Sequence, residues 1–599
     1  MKKQHSNILT LSSILISLTL CSCAGNSSSN EEVSTSKKYA GKTLTIYNCD
    51  DYIASGDEDY EDLIANFENE YGCKVNYYTY DTNETMYNQF TLQKEGTYDL
   101  ICTSDYMIQK MIKEKLIEPF DDIAVDVPYY DEYASTSIRK KLQDMKVNLD
   151  GEVVNLDQYA VGYMWGTLGL IYDSQYTDTI QEDIKSWDIL WDETYKNVIS
   201  LKNSMRDTYV VGLMHSYAHN DKHFQELKEA YLTEDATKED LEAYNQYIQQ
   251  IFDFDLSESE DADSKNKEKI LTVKEELISV KNNIFGFEVD SGKNDIITGK
   301  IKINLAWSGD AVYSIDTALE ERDGELLLEY YVPDDGGNIW FDGWTLPKGA
   351  QREMACDFLN YISSPESAAI NMDYIGYTPF IGGDEIFDLA TNWYGIGDYS
   401  STYEYTYDEE EETQDLCIYN NKLYRCIQST EGDISPEDSN YWEEAEFDSS
   451  ETYYCEDMVS HGGKIYECIS EDENGVTSTS INNEDIWLEV EPYDLSYLFS
   501  ESIDSSKRPV IFPYSSSLNQ LQTQYPDEKT TARCGIMNDF GKYNDDVIIM
   551  WGQVRAATNM TPFYTIIIVF VILVVALFSY YFIQKKISSR NKRNILLRK

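Results

Sequence analysis

A tryptophan and an aspartate that lie two residues apart, Trp340 and Asp342, are the first candidates for ligand chemistry in this chain. They belong to a stretch from Gly336 to Trp344 that follows a strand-like run ending at Pro333. Side chains two apart in an extended segment point the same way. An indole face attracts a cation and a carboxylate pairs with one, so together they form half of a site for an alkyl-ammonium ion. Taken alone, the stretch fits a core tryptophan beside a turn aspartate better, and other parts of the chain must decide.

The first part of the chain predicts a parallel sheet. Strand-like and helix-like runs alternate, at residues 42–48, 59–71, 75–80, 86–94, 98–102 and 106–115. This alternation is typical of an α/β fold that binds ligands at the carboxyl ends of its strands. The polar and aromatic residues at those ends are Asp50, Asp51 and Tyr52 after the first strand, and Ser104 and Tyr106 after the third.

A second unit opens at residues 159–166 and continues through runs at 186–191 and 199–201. Residues 205–209 then open a helix, with Asp207 in its first turn. A strand at 301–307 ends in Trp307. Between them, residues 221–281 are charged and predict a mostly helical elaboration of the surface.

Composition restricts the possible partners. The chain has 599 residues and a formal net charge of -59, which argues against nucleic acid and anionic surfaces as partners. This charge suits cationic ligands, and it suits a merely soluble secreted protein equally well. Eleven cysteines are present, and those outside the signal region would meet an oxidising environment where disulfides form.

The N-terminus has the features of an export signal. Lys2 and Lys3 precede an apolar run over residues 8–20, and Leu20-Cys21-Ser22-Cys23 resembles the lipobox of bacterial lipoproteins. We therefore expect a signal peptide over residues 1–23 with lipid on Cys23, rather than an ordinary signal peptide with stray cysteines. Residues 24–40, rich in Ser and Asn, predict a flexible tether.

A second apolar segment lies near the C-terminus. Residues 564–583 predict a transmembrane helix, and the basic tail at 584–599 predicts a cytoplasmic end. The layout resembles a cell-wall sorting tail, but no Leu-Pro-x-Thr-Gly motif precedes it, so we expect a retained anchor. Everything before this helix would then lie on the extracellular face of the cell membrane.

The short motifs of the two units occur in the order of a known family. They are Ile46-Tyr47-Asn48 with Asp51-Tyr52, Tyr80-Asp81-Thr82-Asn83-Glu84-Thr85-Met86-Tyr87, Tyr98-Asp99-Leu100 with Ser104-Asp105-Tyr106, Tyr163-Met164-Trp165-Gly166, Ser186-Trp187 with Leu190-Trp191, Trp307-Ser308-Gly309-Asp310-Ala311, Trp340-Phe341-Asp342 and Ile375-Gly376-Tyr377-Thr378-Pro379. In these pieces the chain resembles the spermidine/putrescine-binding proteins of bacterial ABC transporters. The resemblance covers about residues 41–395 and a segment near 495–556.

The resemblance implies a fold class and a division of the chain. The fold would be α/β and two-lobed, like a type II periplasmic binding protein, with a small all-β insert and a C-terminal transmembrane helix. Lobe 1 would comprise residues 41–158 and 340–395, and lobe 2 residues 159–339 and 495–556. The lobes would close on a ligand held between them.

The resemblance also implies a set of ligand-binding residues. Trp307 and Trp340 would stack on a polyamine, Asp342 and Asp207 would pair with its amines, and the remaining positions would line the cleft. These are Asp50, Asp51, Tyr52, Ser104, Tyr106 and Tyr377. Aromatic walls with spaced carboxylates suit apolar rods that carry charges at intervals.

Three positions depart from the family pattern. Cys49 stands where the family usually has Trp, Asp50 takes the place of a Thr or Ser, and Ser204 replaces an acid used for longer polyamines. The choice among putrescine, spermidine and spermine therefore stays open.

Other chemistry has weaker support. His215, His219 and His223 have the helical spacing of metal ligands, but Asn220 and Asp221 should end that helix. No nucleophile with a matching base and orienting group is visible, so we expect no enzyme, no cofactor and no metal.

Residues 400–492 form an acidic, Tyr-rich insert that contains a repeat. The run at 421–427 recurs at 463–469, and each copy is followed by a tryptophan, Trp442 or Trp487. Each copy predicts a β-hairpin, and both resemble the small carbohydrate-binding modules attached to chitinases. Those modules usually place two aromatic residues where Gln428 and Ser429 stand here, so we expect the tryptophans to form small cores. Pairing of Cys417 with Cys426 and of Cys455 with Cys468 would staple them.

These patterns favour a membrane-tethered polyamine-binding subunit that hands its ligand to an ABC permease. Two alternatives remain open. One is a surface adhesion protein that binds cell-wall glycan through residues 400–492, and the other is a binder of a different cation, such as a metal or thiamine, on the same fold.

Overall fold

The computed structural model describes residues 37–56, 60–289, 291–322, 326–401, 403–408, 413–430, 434–478, 480–505, 507–557, 570–581 and 584–585. The expected signal peptide, the lipidation site at Cys23, most of the tether and most of the basic tail lie outside these ranges. Of the expected membrane span, residues 570–581 are described, and they are helical. Among the described helices, none combines the length and the apolar character that crossing a bilayer requires.

The first part of the chain alternates strands and helices, as the sequence predicts. Its elements are β1 Thr43–Cys49, α1 Leu63–Tyr71, β2 Lys74–Tyr80, α2 Asn83–Phe90, β3 Leu100–Ser104, α3 Asp105–Lys113, β4 Ile117–Glu118, α4 Ile123–Asp126, α5 Pro128–Tyr133, α6 Thr136–Asp144, β5 Lys146–Leu149 and β6 Glu152–Asn155. Helix α1 begins where the Asp62 carboxylate accepts from the backbone of Ala65, and it ends at Gly72 with φ 77°.

The middle of the chain adds a second α/β unit. Its elements are β7 Ala160–Asp173, α7 Ile180–Asp183, β8 Ile199–Lys202, α8 Met205–Asn220, α9 Lys222–Leu232, α10 Lys238–Phe252, α11 Glu260–Val280, β9 Gly286–Glu288, α12 Gly292–Ile297, β10 Ile303–Trp307, α13 Ser308–Glu321, β11 Leu328–Tyr331 and β12 Gly337–Pro347. Short 3-10 turns form at Leu156–Gln158, Trp187–Leu190 and Glu193–Tyr195. The charged stretch at 221–281 is mostly helical as predicted, but its apolar face packs into the core of this unit.

The last elements return to both units. They are α14 Arg352–Ile362, α15 Pro365–Ile375, β13 Thr378–Pro379, α16 Asp384–Tyr394, β14 Gly395–Gly397, β15 Tyr407–Asp408, β16 Thr413–Gln414, β17 Leu416–Tyr419, β18 Lys422–Cys426, β19 Trp442–Glu444, β20 Met458–His461, β21 Lys464–Cys468, β22 Trp487–Glu489, β23 Tyr493–Asp494, α17 Ser496–Phe499, β24 Val510–Pro513, α18 Leu518–Gln524, α19 Glu528–Ala532, β25 Cys534–Gly535, a 3-10 turn Gly541–Tyr543 and α20 Asn544–Ala556. The segment assigned to lobe 2 at 495–556 begins against lobe 1, where α17 packs on α6, and it ends with α20 on α8 and α11.

Two long strands join the lobes. The main sheet has the order β2-β1-β3-β12-β7-β10-β8-β9, and β7 and β12 pair with each other at its centre. One end of this pair lies beside β3 of lobe 1, and the other end of β7 lies beside β10 and β11 of lobe 2. Of the expected lobe boundaries, 158/159 lies just before β7 and 339/340 lies within β12. The architecture is therefore a two-lobed α/β fold.

The insert contains two equivalent three-stranded antiparallel sheets, β17-β18-β19 and β20-β21-β22, and the short pair β15-β16 precedes them. Its hairpin turns have positive φ at both central residues, 52° and 60° at Asn420 and Asn421 and 62° and 82° at Gly462 and Gly463, as a type I′ turn requires. Trp442 and Trp487 are 2% and 3% exposed and form small cores, as expected. In the described part of the chain, the cysteines expected to staple these cores, Cys417, Cys426, Cys455 and Cys468, are free thiols.

Candidate functional site

Asp342 lies where the register between β12 and β7 shifts. Phe341 pairs with Trp165 and Gly343 pairs with Gly162, so β7 has one extra residue opposite Asp342. Such a bulge re-aims a side chain. On its other side Asp342 pairs with Ser104 at the end of β3, and its Oδ2 accepts a hydrogen bond of 2.8 Å from the Tyr52 hydroxyl. No residue in the described ranges donates to its other oxygen, Oδ1, which is buried.

This carboxylate is poorly compensated. Burial raises the pKa of Asp342, the hydroxyls of Ser104 and Tyr52 oppose that rise, and the charge of Asp207 adds to it. A buried carboxylate with a free oxygen and a second carboxylate nearby costs free energy unless a cation joins them. The site is therefore prepared for a positive charge.

Aromatic rings form the walls around Asp342. The rings of Trp340 and Tyr377 meet edge to face with centroids 5.4 Å apart, and Tyr52 meets Tyr377 at 5.8 Å in the same manner. Tyr163 fixes this arrangement from behind, because its hydroxyl donates to the carbonyl of Tyr52 over 2.9 Å. Trp340 and Tyr377 remain partly exposed, so the walls face an opening.

Lobe 2 contributes a second carboxylate and a second tryptophan. The Trp307 indole, at the end of β10, donates to Oδ1 of Asp207 over 3.3 Å. Asp207 lies in the first turn of α8, where the Ser204 hydroxyl accepts from its backbone N–H. Burial raises the pKa of the Asp207 carboxyl, and the hydrogen bonds from Ser204 and Trp307 only partly offset this.

Lys202, at the end of β8, places an ammonium group in the same region. The side chain is 1% exposed, and its Nζ lies 3.0 Å from Asp310 and 3.4 Å from Glu288. The same nitrogen lies 4.4 Å from the centroid of the Trp307 ring, a cation–π distance. Burial opposes the charged form of Lys202, but Asp310 and Glu288 outweigh it and raise the lysine pKa.

Asp310 joins this pair to the aromatic walls. Its Oδ1 accepts a hydrogen bond of 3.0 Å from the Tyr377 hydroxyl. Burial disfavours ionisation of Asp310, yet the charges of Lys202 and Lys293 hold its pKa below the ordinary value. Asp310 is therefore an ionised carboxylate whose negative charge is compensated by lysines of the protein itself.

Tyr106 lies at the edge of the site and is covered by Arg206. The guanidinium lies 3.6 Å from the centroid of the Tyr106 ring and donates to the carbonyl of Asn538 over 2.8 Å. The neighbouring Asp105 accepts from the backbone N–H of Phe341 at 3.1 Å, which ties β12 to the start of α3. Burial raises the pKa of Asp105 to about 7.

The structure thus brings most of the residues implied by the sequence together. Tyr52, Ser104, Trp340, Asp342 and Tyr377 surround one point, and Asp207 with Trp307 faces them from lobe 2. Asp50 and Asp51 are exposed on the loop after β1, where Asp51 has φ 50° and the chain turns away. Beside them the Cys49 thiol has its pKa raised to about 12 by burial and by the charge of Asp342.

Sequence reasoning missed the charge pair of Lys202 with Asp310 and the tie made by Asp105. Asp310 and Asp105 belong to two of the motifs that carry the family resemblance, directly after Gly309 and Ser104, so the sequence did indicate that these positions matter. Lys202 gave none, because a lysine at the end of a strand is usually solvated.

Two α/β lobes joined by crossing strands, with carboxylates and aromatic rings between them, define a ligand-binding protein of the two-lobed type. A sequence profile described as bacterial extracellular solute-binding protein matches residues 62–383, just over half of the chain. The chain belongs to this family, whose members bind solutes and are not enzymes. The matched range ends before the insert at 400–492.

Relatives that are named for the solutes they bind are moderately similar to this chain in sequence. The spermidine/putrescine-binding periplasmic protein of Salmonella typhimurium is 27% identical over 342 residues, covering 56% of this chain and 76% of its own length. The putrescine-binding periplasmic protein PotF of Escherichia coli is 26% identical over 350 residues, covering 56% and 77%. Among solved structures, the spermidine/putrescine ABC transporter substrate-binding protein PotD of Streptococcus pneumoniae is 25% identical, covers 58% of this chain and 85% of its own, and has a TM-score of 0.40.

Proposed function

We propose that this protein captures a short aliphatic diamine, such as putrescine, between its lobes and delivers it to an ABC permease. The observation that carries this proposal is the Asp342 carboxylate, with one buried oxygen unpartnered among the described residues and with Trp340 and Tyr377 beside it. An ammonium group supplies both the positive charge and the hydrogen-bond donor that this oxygen lacks.

The surroundings favour an amine over other small solutes. The methylene chain of a diamine is apolar and packs against aromatic walls, while its terminal charges pair with carboxylates. Asp342 and Asp207 offer two such carboxylates, one from each lobe. A solute with its own carboxylate would need a cationic partner, and Arg206 is engaged with Tyr106 and Asn538.

The presence of Lys202 favours a ligand with few positive charges. Its ammonium group already pairs with Asp310 and Glu288 and lies over Trp307. A longer polyamine would bring a further ammonium group toward carboxylates that are neutralised and toward a lysine that repels it. This is why we propose a diamine rather than spermidine or spermine.

The relatives support the same solute class, because their names state spermidine and putrescine binding. Delivery to a permease is proposed on the same basis.

We further propose that lipid on Cys23 and the apolar segment at 564–583 hold the protein at the extracellular face of the cell membrane. This proposal rests on the sequence alone.

Calorimetric titration of the full-length chain in detergent tests the solute. Putrescine should bind with one site per chain, and spermidine and spermine should bind more weakly. Arginine, which carries a carboxylate, serves as the control and should not compete. Absence of binding by every amine would overturn the proposed function, whereas preference for spermidine would overturn only the short ligand.

Asp342→Asn is the variant that tests the site. Replacing the carboxylate by an amide should weaken putrescine binding by about 1.5 to 3 kcal/mol, the scale of a hydrogen bond to a charged group. Folding should be preserved, because the amide oxygen still accepts from Tyr52. Asp50→Asn is the matched control and should bind like the unchanged protein, since Asp50 is exposed on the loop after β1. Equal affinity of Asp342→Asn and the unchanged protein would remove Asp342 from the site.

A further inference from the structure

A second cluster of potential ligands lies on lobe 2, away from the cleft. His215 and His219 are one turn apart on α8, and Asp188 projects toward them from the 3-10 turn Trp187–Leu190. One ligand atom from each of the three lies within 4.8 Å of the others. Oδ1 of Asp188 is 2.7 Å from Nε2 of His219 and 3.5 Å from Nε2 of His215.

Two neighbours fix the orientation of His215. Its Nδ1 lies 3.0 Å from the Glu276 carboxylate on α11, and because a carboxylate only accepts, Nδ1 carries the proton of that hydrogen bond. The Trp191 ring stacks on the imidazole with centroids 3.6 Å apart, and the Trp191 indole is itself held by Ser279 over 2.7 Å. Nε2 is therefore aimed at Asp188 and at the space in front of His219.

This arrangement has the parts of a metal centre. A histidine ligand usually donates its second ring nitrogen to a carboxylate, which sets its tautomer and its orientation, and Glu276 occupies that place. Without a proton or a cation between them, Nε2 of His215 and Oδ1 of Asp188 are two acceptors facing each other. A cation placed there would bond to both.

We propose that Asp188, His215 and His219 bind a zinc ion, with water completing the coordination. Two imidazole nitrogens and one carboxylate oxygen form a donor set that zinc accepts, and ligand atoms about 2.0 Å from zinc in a tetrahedron lie about 3.3 Å apart. The two distances to Asp188 lie on either side of this value, and all three ligand atoms lie within 4.8 Å of one another, so small shifts of the side chains would complete the geometry. The side chains of His219 and Asp188 are 51% and 53% exposed, which gives the ion access from solvent and gives His219 freedom to move.

The sequence pattern pointed to a different third ligand. Helix α8 ends at Asn220, as the residues there predict, and His223 lies on α9 beside Tyr247 with ring centroids 4.8 Å apart. Asp188 replaces His223 as the third candidate ligand. Asp188 comes from a different element of the chain, so the spacing of residues along one helix cannot indicate it.

Titration of the full-length, EDTA-treated and desalted protein with zinc chloride tests the proposal. We expect one saturable site per chain and a higher unfolding temperature with zinc. His219→Ala should lower the affinity by at least about tenfold, and Glu276→Gln, which keeps all three ligands, by about tenfold through the lost orientation. His223→Ala is the matched control and should bind zinc like the unchanged protein.

The zinc-free unfolding temperature separates binding from folding. His219→Ala should leave it unchanged, since that side chain is half exposed. The proposal is overturned if the unchanged protein has no saturable one-to-one site, or if His219→Ala binds zinc with equal affinity. Binding lost equally in His223→Ala would also overturn the assignment of these ligands.

Discussion

Lys202 carries a charge of the same sign as the proposed ligand, and it is paired with two carboxylates of lobe 2. Because its side chain is 1% exposed, it is a fixed part of the site and does not exchange with solvent cations. Asp310 would otherwise present a free carboxylate beside Tyr377. Lys293 also lies 3.7 Å from Asp310, but Lys202 is the closer lysine, and on the proposed function we expect it to limit the number of ligand charges that the cleft accepts.

Replacing Lys202 by methionine should lengthen the preferred ligand. Methionine keeps an unbranched chain but removes the charge, so Asp310 and the face of Trp307 become available to an ammonium group of the solute. We expect the affinity for spermidine relative to putrescine to rise by about ten- to hundredfold, the equivalent of a charged hydrogen bond of about 1.5 to 3 kcal/mol. Calorimetric titration with both amines measures this ratio.

Stability must be separated from selectivity in that variant. Removing one partner of a buried ion pair costs about 3 to 5 kcal/mol, because the remaining charge is left uncompensated. The double variant Lys202→Met, Asp310→Asn removes both charges and should fold more stably than Lys202→Met while losing the gain for spermidine. An unchanged amine ratio in folded Lys202→Met would show that Lys202 does not determine ligand length.

Amine binding should weaken in acid. The pKa values of Asp342 and Asp207 are raised above the ordinary 3.8, chiefly by burial, so both carboxyls become protonated at a higher pH than usual. The ammonium groups of the ligand resemble that of lysine, with a pKa of about 10.4, and stay charged over the whole acidic range. The affinity for putrescine should therefore be constant near neutral pH and should fall as pH drops through the raised pKa values.

The stability of the ligand-free protein should change in the opposite sense. Between pH 3.8 and the raised pKa values the folded state binds more protons at Asp342 and Asp207 than the unfolded state does. Their contribution to the free energy of unfolding therefore decreases as pH rises through that window.

Titrations with putrescine over the acidic range measure the effect of pH on binding, and the affinity of Asp342→Asn should depend less steeply on pH. Identical pH profiles for the two proteins would contradict the role of Asp342.

Secondary structure elements were more predictable than the contacts between them. The strand and helix signals around Tyr47, Phe67 and Ile101 lie in short runs whose periodicity is local, and β1, α1 and β3 form there. The hairpin turns of the insert were predictable because asparagine and glycine pairs tolerate positive φ. Lys202 and Asp310 meet across two neighbouring strands and one helix start, and their pairing depends on burial that local sequence does not encode. Asp50 illustrates the reverse case, since it lies only two residues before Tyr52 in sequence but is turned to solvent.

The insert is attached to the body through two strands of one small sheet, which flank β24. β14 leads into it, β23 leaves it, and both pair with β24, so the two ends are about 10 Å apart. Ile396 and Phe512 of the body share a small core with Ile418, Leu423 and Ile465 of the insert. The modules are thus packed against the body rather than suspended from it.

Deleting residues 400–492 and bridging the gap with a short Gly/Ser linker should leave putrescine affinity within about twofold, because distant sites couple by only about 0.3 to 0.5 kcal/mol. The free energy of unfolding should fall, since Ile396 and Phe512 lose apolar partners and each such side chain contributes about 1.5 to 3 kcal/mol when fully buried. Calorimetry and chemical unfolding measure the two effects separately. A large loss of affinity would show that the modules shape the cleft.

At the scale of the whole molecule, the two lobes touch across the cleft. Tyr377 of lobe 1 lies directly on Gly309 at the start of α13, and its hydroxyl donates to Asp310 of lobe 2. At the opposite rim, Gln109 and Lys113 of α3 bond to Asn538 and Asp539 over 2.6 and 2.9 Å. The contact between the lobes at this point therefore requires a close approach that only glycine permits at position 309.

Gly309→Ala should hold the lobes apart without harming either of them. A Cβ at position 309 would lie 1.4 Å from Cδ1 of Tyr377, so the ring must move and the contact between the lobes is lost. Alanine is favourable in a helix by about 0.5 to 1 kcal/mol relative to glycine, so α13 itself should be no less stable. We expect putrescine affinity to fall by at least about tenfold, or about 1.4 kcal/mol, while the unfolding temperature without ligand is maintained.

Gly552→Ala on α20 is the matched control, because a Cβ there meets no described atom within 4 Å and binding should not change. In a Tyr377→Ala background the Gly309→Ala substitution should cost nothing further, since the obstructing ring is gone. Full affinity in Gly309→Ala would mean that the amine binds without this contact between the lobes, and the solute would then be held by lobe 1 alone.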